Sequence, residues 1–124
     1  MKMKAIAYIR SATVDQENQF SSYNPQEKKI RDYCRENDIE LLEVFHDIGS
    51  GLNFERAQWK KLESYLSGSP DDVKFLIISS LDRISRDFEQ AKSKVIFIQD
   101  HYNISVIAPN SHPTIEELLE MEGI

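Results

Sequence analysis

Arginines with hydroxyl or carboxyl groups close by in the sequence recur at three places in this chain. The arginines are Arg10, Arg56, Arg83 and Arg86. A guanidinium is planar and donates two parallel hydrogen bonds, so a cluster of arginines can hold a phosphodiester and neutralise the charge that develops in phosphoryl transfer. Any single one of them is also explained as a solvated helix-end residue paired with a neighbouring carboxylate. Their recurrence favours a shared phosphate site, provided that the fold brings them together.

The strands that must position these arginines are predicted from the apolar pattern. Four segments are predicted as strands: residues 5–9, 39–45, 74–79 and 104–107. The first is a continuous apolar run, which is typical of a strand buried on both faces. Arg10 follows that strand directly, and Arg83 and Arg86 come soon after the third strand.

Helices are predicted between the strands, because apolar residues recur there three and four positions apart. The first begins at Asn24 and Pro25, which supply an N-cap and a proline at the first helical position, and it ends near Glu36. The second helix ends at Gly68, and its apolar stripe is Trp59, Leu62 and Leu66. The third is capped by Asp87, and its apolar stripe is Phe88, Ala91, Val95 and Ile98. A short last helix is predicted after a capping box formed by Thr114 and Glu117.

This alternation predicts an α/β fold, a three-layer open, mainly parallel β-sheet with helices on both faces. Ligands of such folds bind outside the carboxyl ends of the strands. The candidate site therefore consists of the residues that follow each strand. The turn-rich loop predicted to begin at Asp47 and to run through Ser50 belongs to this edge as well.

The composition indicates one ordinary globular domain. The chain has 124 residues, of which 40% are hydrophobic, enough for a single core, and its formal net charge is −6. The acidic balance argues against nonspecific, charge-driven binding to nucleic acid. No apolar run is long enough to cross a membrane and no signal peptide is recognisable, so we expect no membrane contact and a cytoplasmic location. The single cysteine, Cys34, lies on the apolar stripe of its helix and is predicted to be a core residue.

Metal and cofactor sites are not predicted. The three histidines, His46, His101 and His112, are too dispersed in sequence to form a recognisable ligand set. The loop Gly49-Ser50-Gly51 matches neither the P-loop nor the dinucleotide fingerprint. The residues therefore predict neither a metal site nor a nucleotide-binding loop.

Three motifs of the chain resemble those of the serine site-specific recombinases, the resolvase and invertase group, and they occur in the same order as in that family. The family's opening motif Y-x-R-V-S-T-x-x-Q is matched at Tyr8, Arg10, Thr13 and Gln16. Its D-x-x-S-G loop, followed by an acidic residue and an arginine, resembles Asp47, Ser50, Gly51, Glu55 and Arg56. Its L-D-R-x-x-R motif is matched at Leu81, Asp82, Arg83 and Arg86.

The resemblance implies a resolvase-like catalytic domain that acts on DNA without a metal or cofactor. In the family, a serine hydroxyl attacks a phosphodiester to give a phosphoserine link, and the strands are exchanged before the link is reversed. It implies self-association or association with other recombinase subunits. Carried over residue by residue, it implies a phosphate clamp with an acidic partner, formed by Arg10, Arg56, Arg83, Arg86 and Asp82. The remaining matched residues would support the site: Tyr8, Thr13, Gln16, Asp47 and Ser50.

The position of the family's nucleophile is occupied by Ala12, which has no hydroxyl. Ser11 stands where the family has valine, and strand alternation points Ser11 away from Arg10 if the strand stays regular that far. A bulge or an early strand end would turn Ser11 inward, and Thr13 is the other nearby hydroxyl. Either Ser11, ahead of Thr13, replaces the missing serine, or the domain does not cleave DNA.

Two further functions therefore stay open beside the recombinase. One is a catalytically silent resolvase-like domain that binds DNA phosphate or regulates active recombinase subunits. The other is a small-molecule-binding doubly wound domain, which the lack of a glycine-rich turn after the first strand disfavours. We expect residues 1–124 to form a single domain, monomeric or weakly dimeric, without the DNA-reading module of the family.

Overall fold

The computed structural model describes residues 3–11, 25–48, 57–68, 73–79, 83–84 and 87–109. Strands and helices alternate along the chain. The strands are β1 (Met3–Ser11), β2 (Ile39–Ile48), β3 (Val73–Ile78) and β4 (Ser105–Ile107). The helices are α1 (Pro25–Glu36), α2 (Ala57–Ser67) and α3 (Phe88–Tyr102). The predicted last helix at Thr114 lies outside the described residues.

All strand pairs in the four-stranded sheet are parallel, and the strand order is β2-β1-β3-β4. The predicted α/β fold with helices on both faces is confirmed. Since β1 is central, the residues that follow it lie at the middle of the carboxyl edge. This edge is also reached by the ends of β2 and β3.

Side chains alternate along β1 and contribute to a separate core on each face. Ile6 and Tyr8 pack on the face covered by α2 and α3, where Trp59 is the largest buried side chain. Ala7 and Ile9 pack on the opposite face, against Ile30 and Cys34 of α1. Every residue from Ala5 to Arg10 is fully buried, which confirms the prediction of a strand enclosed on both sides. Burial raises the pKa of the Cys34 thiol, although the nearby Arg31 partly offsets the rise.

One predicted boundary, the end of β2, and one predicted stripe position, Phe88, were wrong. β2 continues through Asp47 to Ile48, where a loop was expected, because these two residues pair in register with Arg10 and Ser11 of β1. Phe88 was assigned to the buried stripe of α3 but is 42% exposed, since it occupies the first turn of the helix. The cap of α3 is as predicted: the Asp87 side chain accepts a hydrogen bond from the Gln90 amide at 3.1 Å.

Candidate active site

Four of the predicted site residues have described side chains: Tyr8, Arg10, Asp47 and Arg83. Those whose placement lies outside the described residues are Ala12, Thr13, Gln16, Ser50, Arg56, Asp82 and Arg86. Ser11 is described as the last residue of β1, but its side chain is not. The four described residues all lie at or beside the carboxyl edge of the sheet.

Arg10 and Arg83 are bound to each other's backbone. The Nε of Arg10 donates to the Arg83 carbonyl oxygen at 3.2 Å, and the Nη1 of Arg83 donates to the Arg10 carbonyl oxygen at 3.4 Å. Arg10 is fully buried, whereas Arg83 is half-buried. The fold thus brings together two arginines that are 73 positions apart in sequence. Two fixed guanidinium groups at one sheet edge suit a phosphate ligand.

Gln26, which was not among the predicted site residues, connects α1 to this edge. Its Nε2 donates to the Arg10 carbonyl oxygen at 3.0 Å, and its Oε1 accepts a hydrogen bond from the Ser79 hydroxyl at 3.2 Å. The side chain therefore joins the ends of β1 and β3. A usable signal was its position: the helix after the first strand of a parallel sheet starts at the carboxyl edge, so polar residues of its first turn lie there.

The carboxylate of Asp47 is fully engaged. Its Oδ2 accepts hydrogen bonds from the Tyr8 hydroxyl and from the Trp59 amide, both at 2.9 Å. Its Oδ1 accepts one from the Gln58 amide at 2.9 Å. The rings of Tyr8 and Trp59 meet edge to face, with centroids 4.9 Å apart. Asp47 thus links β1, β2 and the first turn of α2.

His46 precedes Asp47 but belongs to the opposite face of the sheet. It lines a cavity of about 310 Å³ beside the edge strand β2, together with Glu27 and Arg31 of α1. Burial lowers the pKa of His46, and the negative charges of Glu27 and Asp47 oppose that shift. The imidazole is therefore not a member of the arginine site.

The pairing of β1 bears on the missing nucleophile. The strand stays in register with β2 up to Ser11, which pairs with Ile48. The register shifts of β1 lie between Lys4 and Ile6, at the other end of the strand. No early strand end at Arg10 is observed, and alternation holds through Ile9.

Among the described residues, no group of three or more His, Cys, Asp or Glu side chains is placed to hold a metal ion. None of the described helices is long and apolar enough to cross a bilayer.

Comparison with known proteins gives a consistent family and fold. The family model "Resolvase, N terminal domain" matches residues 5–121. The N-terminal catalytic domain of TP901-1 integrase is similar with 18% identity, a TM-score of 0.75, and coverage of 97% of this chain and 94% of that one. No curated protein sequence matches the chain significantly.

Two further solved structures share the fold. A resolvase family site-specific recombinase from Streptococcus pneumoniae is 21% identical, with a TM-score of 0.73 and coverage of 98% of this chain and 87% of that one. A serine recombinase from Sulfolobus solfataricus is 25% identical, with a TM-score of 0.63 and coverage of 98% and 78%. These likenesses concern the fold of the chain.

Proposed function

Since the chain belongs to the resolvase N-terminal domain family, we propose that it takes part in site-specific DNA recombination, by cleavage and rejoining of DNA strands. The observation that carries this proposal is the reciprocal contact of Arg10 and Arg83 at the carboxyl edge of the sheet. Two positive charges held side by side favour the binding of an anion, and the planar guanidinium group fits the nonbridging oxygens of a phosphate.

The proposed reaction is a transesterification at a DNA phosphodiester. A hydroxyl gives up its proton as its oxygen forms a bond to phosphorus, while the bond from phosphorus to the 3′ oxygen breaks and the departing oxygen takes up a proton. The energy of the phosphodiester is kept in the phosphoester link, so rejoining needs no nucleotide. The clamp of Arg10, Arg56, Arg83 and Arg86 would bind the nonbridging oxygens, and Asp82 would assist proton transfer or hold the arginines.

The attacking hydroxyl is assigned to Ser11, with Thr13 as the alternative nucleophile. Ala12 occupies the family's nucleophile position and has no hydroxyl. A second candidate function is a resolvase-like domain that binds DNA phosphate without cleaving it, or that regulates active subunits. One observation favours this second candidate: β1 pairs in register through Ser11, without the bulge that would redirect the residue.

The partners of the proposed reaction are DNA and other recombinase subunits, either copies of this chain or active relatives. We further propose a cytoplasmic location. Residues 1–124 would act as a single catalytic domain, and sequence-specific reading of the target would come from a separate module. The net charge of −6 is compatible with this arrangement, because the proposed site needs only a few basic groups, and two of them, Arg10 and Arg83, lie together at one edge.

A covalent-trapping experiment tests the proposal. The chain is incubated with duplexes of randomised sequence that carry a 3′-bridging phosphorothiolate, whose sulfur leaves but rejoins poorly. Trypsin then releases residues 11–28, a peptide with Ser11 and Thr13 near its start, and fragmentation locates any nucleotide adduct. An adduct on Ser11 that Ser11→Ala abolishes supports cleavage. DNA binding without an adduct supports the silent domain, and the absence of both adduct and binding overturns the proposal.

A further inference from the structure

Lys92 is a buried lysine in the second turn of α3. It is 7% exposed and lies beside the buried residues Ala91 and Val95 of the same helix. Lysine is almost never buried unless its charge is paired, because removing an ammonium from water is costly. A lysine at this position therefore carries a cost that an apolar residue would avoid.

The ammonium of Lys92 lies against an aromatic ring. Its Nζ is 4.9 Å from the centroid of the Phe88 ring, whose face attracts a cation. Side chains of a helix point back toward its N-terminus, so a spacing of four positions brings the two residues together. Glu89 stands three positions before Lys92, at a spacing that allows an ion pair. Among the described residues, however, Lys92 has neither a carboxylate partner nor a hydrogen-bond acceptor. The charge is thus oriented but not neutralised.

The pair formed by Phe88 and Lys92 lies at the end of α3 that starts from the carboxyl edge of the sheet. The helix joins the parallel strands β3 and β4, so it begins at the edge where β3 ends. Phe88 is 42% exposed, so the ring that holds the ammonium reaches the surface. Arg83 and Phe88 are five positions apart in sequence, which limits the distance between their Cα atoms to about 18 Å. A duplex bound at Arg83 carries about ten phosphates over such a length.

Packing alone does not account for a lysine at position 92. Methionine is also long and unbranched, and it would fill the position without burying a charge. The neighbouring acids do not account for the lysine either. The Asp87 carboxylate accepts the hydrogen bond of the Gln90 amide at the cap of α3, and Glu89 is exposed. What methionine would lack is a positive charge beside the proposed DNA site.

We propose that Lys92 is a DNA-binding residue, whose ammonium, held on the Phe88 ring, binds a backbone phosphate next to the phosphodiester at the arginine edge. The inference rests on the proposed function for the presence of DNA at this edge. The buried stem of a lysine lets the ammonium extend toward the surface, and a phosphate supplies the anionic partner. Lys92 contributes to affinity and takes no part in the transfer of the phosphoryl group.

The salt dependence of DNA binding tests this contact. Fluorescence anisotropy gives the affinity for a labelled duplex of randomised sequence between about 50 and 200 mM salt. Lys92→Met should weaken binding roughly three- to tenfold at the lower salt concentration. It should also reduce the slope of log affinity against log salt by about 1, because one phosphate contact is lost. Lys92→Arg keeps the charge and should keep the slope. Lys74→Met is the matched control, since Lys74 is exposed near the start of β3, at the opposite edge of the sheet, and the slope should not change.

Urea unfolding separates the loss of binding from a loss of folding. Lys92→Met should be at least as stable as the wild-type chain, because methionine fills the position without a buried charge. Phe88→Leu removes the ring that holds the ammonium, at an exposed position that tolerates the change. It should weaken DNA binding by the wild-type chain but not by the Lys92→Met variant, since the two residues act as a pair.

Two results would overturn the inference and leave the proposed function standing. One is a folded Lys92→Met protein that binds DNA with the wild-type salt slope, or that loses no more of the slope than Lys74→Met does. The other is wild-type affinity in Phe88→Leu, which tests the pair even where Lys92→Met does not fold. If the wild-type chain binds no duplex at all, the proposed function fails, and the inference fails with it.

Discussion

The side chains of Arg10 and Arg83 each donate a hydrogen bond to the backbone carbonyl of the other residue, at 3.2 and 3.4 Å. The contact joins the end of the central strand to the segment that follows β3, so it holds the two residues together at the carboxyl edge of the sheet. Preorganised donors stabilise a developing charge more than mobile donors do, because no reorganisation is required at the moment of reaction.

Arg10→Lys should weaken both folding and DNA binding. Lysine keeps the charge but lacks the Nε donor that reaches Arg83 and the planar fork that fits a phosphate, so we expect a stability loss of about 1–3 kcal/mol and a clear loss of affinity for a duplex. Arg31→Lys is the matched control, because Arg31 makes an exposed ion pair with Glu27 on α1 and its change should cost less than about 0.5 kcal/mol. Urea unfolding and fluorescence anisotropy give the two readouts. Equal effects of the two variants would argue against a special role for Arg10.

Gln26→Glu should destabilise the carboxyl edge of the sheet. The substitution replaces the amide that donates to the Arg10 carbonyl with a carboxylate oxygen, and two acceptors then face each other, for a cost of about 1–3 kcal/mol. Ser79→Ala removes only the second hydrogen bond and should cost about 0.5–1.5 kcal/mol. Urea unfolding of the single and double variants measures the coupling between positions 26 and 79, which should be clearly nonzero because the Gln26 side chain makes both hydrogen bonds.

Stability should fall on acidification partly through His46. Its pKa in the folded chain lies below the ordinary value of 6.5 because of burial, so the unfolded chain takes up the proton more readily. The free energy of unfolding should therefore decrease as the pH falls below about 6.5, until the folded state is protonated as well. His46→Gln should remove this component, as measured by urea unfolding between neutral pH and pH 5.

Glu27→Gln should enlarge the pH dependence that His46→Gln removes. It removes a negative charge that raises the pKa of His46, so the free energy of unfolding of the variant should fall more steeply on acidification than that of the wild-type chain. Arg31 also lines this cavity and makes an ion pair with Glu27, which the substitution removes. An unchanged pH dependence in both variants would show that His46 does not contribute.

The fold could be predicted from the sequence because the pattern along β1 and the stripes of the three helices are strong local signals. The end of β2 could not, since the strand is extended by pairing with Arg10 and Ser11, a nonlocal interaction that periodicity does not encode. Phe88 shows the converse: helical spacing placed it on the stripe, but the first turn of α3 projects beyond the core.

The candidate site was predictable as a set of residue types but not as a network. Three motifs identified Arg10, Asp47 and Arg83, and the described structure places them at one edge of the sheet. The contribution of Gln26 and the hydrogen bonds from the Gln58 and Trp59 amides to Asp47 depend on where α1 and α2 meet the strand ends. These contacts join residues 11 to 53 positions apart, so the pattern of a single strand or helix does not encode them.

The central claim is that the arginine edge holds a DNA phosphodiester where a hydroxyl from the end of β1 can attack it, so a serine restored at the family's nucleophile position should be able to attack as well. The most direct measurement is covalent trapping of Ala12→Ser on the phosphorothiolate duplexes, with Arg10→Lys added in a second protein whose folding is checked by circular dichroism. The account predicts an adduct on the new serine, and a strongly reduced yield in the folded double variant. A folded Ala12→Ser protein that binds the duplex and forms no adduct would contradict it.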